Sequence, residues 1–181
     1  MFLPLAPVPV LVGSESCWTT RSAPGSASKC DKVNRQAELA KAEAAAQKVV
    51  AAYSRPEYAT QDQTVAVLTV CNIADGLVFS YFGGRPNLEP KQVAAGAGLA
   101  YVINVGNAVH AEPLVITEAK KNAAGSPVSP IVIYASNPFC GADKENCKLL
   151  VGSEPGAQIL PTSASKRKSR AAIYAPGIVW P

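Results

Sequence analysis

The run HAEPLVITEAKKNAAGSPVSPIVIYA, residues 110–135, decides the fold. Its first half, His110 to Asn122, sets Leu114, Val115 and Ala119 on an apolar face and Glu118, Lys120 and Lys121 on a polar one, the pattern of an amphipathic helix. Pro113 has no N–H to donate and is tolerated only in a first turn, so it places His110 at the helix start. Gly125-Ser126-Pro127 breaks the chain. Pro130-Ile131-Val132-Ile133-Tyr134-Ala135 then reads as a short, almost wholly apolar strand, as expected at a sheet centre covered on both faces. Helix and doubly covered strand in succession point to an α/β layered sheet with helices on its faces.

Working outward supports this reading. Thr64 to Ile73 is a strand by its β-branched content, Ala74-Asp75-Gly76 is a turn, and Leu77 to Phe82 returns as a second strand, giving an antiparallel hairpin that Gly83-Gly84-Arg85-Pro86 ends. Residues 93–102, rich in Ala and Gly, read as a loose helix. Asn34 can cap a helix running to about Ser54, with an Ala-rich interior, an i,i+3 pair in Glu38 and Lys41, and Pro56 as its stop. This helix offers no chemistry and reads as a linker or a packing helix. Beyond the central strand, Cys147 to Val151 reads as a short helix, and Ala157 to Pro161 and Ala171 to Ala175 as strands. Two regions result: residues 1–60, irregular plus the Ala-rich helix, and a domain over 61–181.

Composition narrows the class. Hydrophobic residues make up 48% of the chain and charged residues 17%, so a chain of 181 residues can bury a full core. The net charge of +4 is concentrated at the ends, above all in Lys166-Arg167-Lys168-Ser169-Arg170, and no acidic residue lies beyond 160. A nucleic-acid partner is open through such local basic segments, but the overall field does not demand one. The apolar N-terminal dozen residues have no basic lead and three prolines, so they are too short to span a bilayer and poor as a signal peptide. No membrane partner is expected, and the chain is expected to be monomeric. Cys17 and Cys30 flank a polar loop and either pair or stay free, whereas Cys71, in a strand, reads as a small buried apolar residue.

The remaining two cysteines carry chemistry. His110, the only histidine, is followed two residues later by Glu112, and Cys140 and Cys147 come after the central strand. Zinc takes His, Cys and carboxylate ligands, and a catalytic zinc keeps one position for water. His110, Cys140 and Cys147 supply three ligands, and Glu112 stands close by as a non-ligating proton carrier, the H-x-E plus two-cysteine pattern of zinc nucleobase deaminases. Six residues separate the cysteines. Were they helical, the sulfurs would lie on the order of 10 Å apart and could not share one ion, so residues 141–146 must loop out. Each feature alone has an ordinary reading: a structural histidine, a chance His-x-Glu, a disulfide or free thiols. Their order and placement together favour the metal.

His110-Ala111-Glu112 and Asn137-Pro138-Phe139-Cys140 through Cys147 resemble the motifs of the cytidine deaminase-like superfamily, in particular the deaminase domains of bacterial polymorphic toxins. Gly83-Gly84, Asn107-Ala108-Val109-His110-Ala111-Glu112 and Asn137-Pro138 look most like double-stranded DNA cytosine deaminase toxins. The likeness covers about residues 62–165, and the longer Cys–Cys segment departs from it. It implies a mixed five-stranded sheet between helices, in three layers. It further implies Zn2+ held by His110, Cys140 and Cys147, proton transfer by Glu112, and conversion of cytosine to uracil in DNA. Other substrates, namely RNA, a free nucleoside or adenine, stay open, as does a non-catalytic zinc- or disulfide-stabilised binding module. Asn107 is a candidate for binding sugar or base, with a plain loop or capping role as the alternative. Tyr81, Tyr134 and Phe139 are candidates for stacking on the base, with sheet core as the alternative. A toxin of this kind implies a cognate immunity protein as partner, and secretion or delivery into a target cell with action in its cytoplasm.

Overall fold

The computed structural model describes residues 28–53, 64–84, 100–103, 110–123, 125–141, 146–160 and 169–181. The order is α1 (Arg35–Tyr53), β1 (Ala66–Asn72), β2 (Val78–Gly84), β3 (Ala100–Ile103), α2 (Ala111–Ala123), β4 (Val128–Ala135), α3 (Cys147–Ser153), β5 (Ala157–Ile159) and β6 (Arg170–Tyr174). One mixed sheet runs β3-β2-β1-β4-β6-β5. Five strands, β2 to β5 in that order, form an antiparallel set, and β3 joins β2 in parallel as a sixth. Helices cover both faces, so the three-layer α/β arrangement expected from the sequence is the one observed.

Side chains alternate across the sheet to build two cores. Ala66, Leu68 and Val70 of β1 and Ile133 and Ala135 of β4 face α2 and α3. Val65, Val67 and Cys71, with Val132 and Tyr134, face α1. The register between β1 and β4 shifts between Thr69 and Val70: Thr69 pairs with Val132 and Val70 with Pro130, leaving Ile131 as an extra residue. That bulge is where a central strand can hold a proline that has no N–H for the ladder.

Asn34 does cap α1, accepting from the Ala37 N–H at 3.1 Å. Of the two readings of this helix, linker or packing, the structure has the second. Ala42, Ala46 and Val49 are buried against the sheet, and Arg35 Nε donates to the Tyr174 carbonyl of β6 at 2.7 Å. α1 is thus one of the three layers, and its core is shared with residues beyond 61. Cys71 is not a free buried thiol: it forms a disulfide with Cys30, tying the turn before α1 to β1. The alternative pairing of Cys30 with Cys17 is thereby excluded, and Cys17 itself lies outside the described residues.

Two local expectations also change. Residues 100–102, read as the end of a helix, begin strand β3, where aromatic Tyr101 and β-branched Val102 and Ile103 favour extension. The remainder of that expected helix lies outside the described residues. β2 does not stop at Phe82 but continues through Gly83 and Gly84.

Candidate metal centre

β2, β3 and β4 share one direction, so their carboxyl ends lie along one edge of the sheet, where α2 begins and the β4–α3 connection passes. Crevices at such edges are the usual ligand sites of open α/β sheets. His110 immediately precedes α2, its carbonyl accepting from Leu114 N, and Pro113 falls in the first turn, where its missing N–H costs nothing. Glu112, in the same turn, is 2% exposed.

The connection from β4 is pinned before it reaches the cysteines. Ser136 N donates to the Val65 carbonyl at 2.9 Å, Val65 N donates back to Ser136 Oγ at 2.9 Å, and Asn137 Nδ2 donates to Thr64 Oγ1 at 3.1 Å. Phe139 then turns into the core beside Val151 and Cys147, and Cys140 follows half-buried. Gly141 and Asn146, the residues next to the two cysteines, meet: Asn146 N donates to the Gly141 carbonyl at 3.2 Å, and Asn146 adopts a left-handed backbone at φ 51°. Cys147 therefore arrives as the first residue of α3, opposite Cys140 rather than two helical turns beyond it. The two cysteines are thus brought together, as a shared ion requires.

Three donor atoms converge. His110 Nδ1 lies 3.1 Å from Cys147 Sγ and 3.2 Å from Cys140 Sγ, and the two sulfurs are 3.0 Å apart. Both cysteines are free thiols. Cys147 N also donates to Cys140 Sγ at 3.1 Å. Burial pushes the Cys147 thiol well above its ordinary pKa, and its contact with Cys140 and the negative charge of Glu112 act in the same direction. That last effect places the Glu112 carboxylate within electrostatic reach of the centre. The Cys147 sulfur thus sits in a desolvated, negatively biased corner, and a divalent cation reverses the balance, since a coordinating thiol is deprotonated outright. One imidazole and two thiols within 4.8 Å of one another fit a metal ion, and the donor set suits zinc.

The remaining candidates divide. Phe139 lies beside the ligands, packed in the core. Tyr81 does not reach them. It is buried, and its hydroxyl accepts from Asn122 Nδ2 at 3.3 Å. Asn122 is at the far end of α2, on the order of 15 Å along the helix from Glu112. Tyr134 is on the wrong face: it packs in the α1-side core, with its phenol toward Glu43, Gln47 and Ser169. Asn107 lies outside the described residues. Ser136 and Thr64, which hold the cysteine-bearing connection, carry no signal in the sequence, because hydroxyl residues at strand ends are common.

Fold and donor set together define a three-layer α/β protein with a candidate His-Cys-Cys metal centre at the carboxyl edge of its sheet. Comparison with family models, with curated proteins and with solved structures finds no match to the chain.

Proposed function

We propose that the protein is a zinc-dependent deaminase that converts cytosine to uracil in DNA, acting as a toxin effector. The observation that carries this reading is the meeting of His110, Cys140 and Cys147 within 4.8 Å, with the buried Glu112 two residues after the histidine ligand. His110 Nδ1 and the two thiolates would hold the zinc. When bound, zinc supplies a water whose pKa is lowered to about 7.

The chain's own work is proton transfer and exclusion of solvent. Glu112 takes a proton from the attacking water and passes it to the ring nitrogen N3 as oxygen adds to C4. It then delivers the second proton to the exocyclic nitrogen as the C4–N4 bond breaks. Water is consumed, ammonia leaves, and uracil remains. Phe139, next to Cys140 in sequence, remains the candidate for stacking on the base, and Asn107 is assigned to the sugar or base. The target nucleotide must be extruded from the stack or presented single-stranded to reach the site.

DNA as the substrate is supported by the position of Arg170 and by the basic residues that precede it in sequence. Arg170, its last member, starts β6 opposite Ala135, the final residue of β4 before the cysteine-bearing connection. Lys166, Arg167 and Lys168 thus precede a strand that enters the sheet at the site's own edge, where phosphate contacts would orient the nucleic acid. A cognate immunity protein covering this edge belongs to the same reading.

A substrate panel tests it: cytosine in single- and double-stranded DNA, cytosine in RNA, free cytidine, and adenine in DNA, each followed by mass spectrometry. Uracil formation in either DNA form is the expected result. Turnover of only the RNA, nucleoside or adenine substrates would reassign the substrate, and no turnover by protein holding one zinc would favour a structural centre.

A further inference from the structure

The metal ligands come from two separate bodies. Cys140 and Cys147 belong to the β4–α3 connection, which Ser136 and Asn137 tie to the start of β1. His110 and Glu112 belong to the start of α2. The distance between the two sets depends on how deeply the first turn of α2 rests on the sheet, and the strand beneath it there is β2 at Gly83.

A Cβ on Gly83 would stand 2.7 Å from Val115 Cγ1 and 2.9 Å from the Ala111 carbonyl oxygen. The first contact is with a buried β-branched side chain that has little freedom to turn away. The second is with backbone, so no rotamer relieves it. Ala111 is the residue between His110 and Glu112. The atom that Gly83 allows to approach therefore belongs to the Ala111–Glu112 peptide, within the short span that joins the ligand-bearing residue to the proton carrier. Relaxing the contact from 2.9 Å to the ordinary 3.4 Å moves that peptide by about half an ångström. Metal–ligand distances tolerate roughly 0.2 Å.

We propose that Gly83 is a positioning residue of the centre: its missing side chain fixes the depth of α2 on β2, and so registers His110 and Glu112 against Cys140 and Cys147. This rests on the metal reading given above.

The test uses the full chain, stripped of metal and reloaded with zinc or with Co2+ as a spectroscopic stand-in. Three quantities are read: zinc affinity by chelator competition, the Co2+ ligand-field spectrum, and the thermal midpoint of the metal-free protein. Gly83→Ala is expected to weaken zinc binding on the order of 10- to 100-fold, as loss of outer-sphere support does, and to alter the Co2+ spectrum. Gly125→Ala, whose Cβ would meet nothing within 4 Å, is the reference for an inert glycine replacement. Gly83→Ala combined with Val115→Ala removes the side-chain clash and leaves the backbone one. It is expected to regain thermal midpoint while zinc affinity stays low, and it carries the test if the single variant does not fold. Wild-type zinc affinity and an unchanged Co2+ spectrum in Gly83→Ala, whatever its midpoint, would overturn the proposal, as would affinity recovered together with stability in the double variant. A wild-type protein that binds neither metal would overturn the metal reading itself, and the proposal with it.

Discussion

Tyr174 is fully buried and its hydroxyl has no hydrogen-bond partner among the described residues. Burial, and secondarily the nearby Glu154 charge, push its pKa upward. The unfolded chain releases this proton near pH ~10, while the folded chain holds it. Folding stability is therefore unaffected by this group below about pH 10 and falls above it, by up to ~1.4 kcal/mol per pH unit. Tyr174→Phe is expected to flatten that alkaline decline in denaturant titrations and, by removing an unsatisfied buried hydroxyl, to leave stability at neutral pH unchanged or raised by about 1 kcal/mol. A loss of 2 kcal/mol or more at neutral pH would reveal a partner for the hydroxyl. The candidate site residues were legible for a different reason. His110, Glu112, Cys140 and Cys147 carry their chemistry in their type and order, and Pro113 fixed the start of the helix that bears two of them. Tyr81 and Tyr134 were not legible, because the face on which a strand residue points depends on register, and one residue of phase exchanges core for site.

The helices and strands show the same division. The central strand was readable from its nearly unbroken apolar run, the hairpin from its β-branched content and turn, and α2 from its apolar face. The packing role of α1 was not, since alanines occupy its buried and exposed sides alike: Ala42 and Ala46 are covered while Ala37, Ala40 and Ala44 are exposed. Nor was the Cys30–Cys71 disulfide, because pairing is a fact of tertiary proximity across 41 residues. That crosslink anchors α1's layer to β1. Replacing both cysteines by serine is expected to lower unfolding stability by about 2–4 kcal/mol, with α2 and the metal centre intact in the remaining folded population. Urea unfolding under non-reducing conditions, followed alongside zinc affinity, checks both parts. An unchanged midpoint, or zinc binding lost with the fold retained, would contradict this division of labour between the two faces.

For the molecule as a whole, the two faces of the sheet serve different ends. One packs α1 and is closed by the disulfide; the other carries α2, α3 and the candidate metal centre. Ligand binding to the native state alone stabilises it by mass action, so saturating zinc at 100 times its dissociation constant is expected to add about 2.7 kcal/mol, and a chelator to remove it. Calorimetric scans with zinc and with chelator read this directly, and coincident transitions would mean that the three donor atoms do not form a site. The proposed activity rests on a sharper requirement, that Glu112 moves protons without holding the metal. The deciding measurement is therefore uracil formation in DNA by wild type and by Glu112→Gln, with zinc content determined on the same samples. The expected result is uracil from the wild type and none from the variant, with one zinc per chain in both. Equal uracil formation by the two proteins would contradict the account, as would a variant that loses its zinc along with its activity.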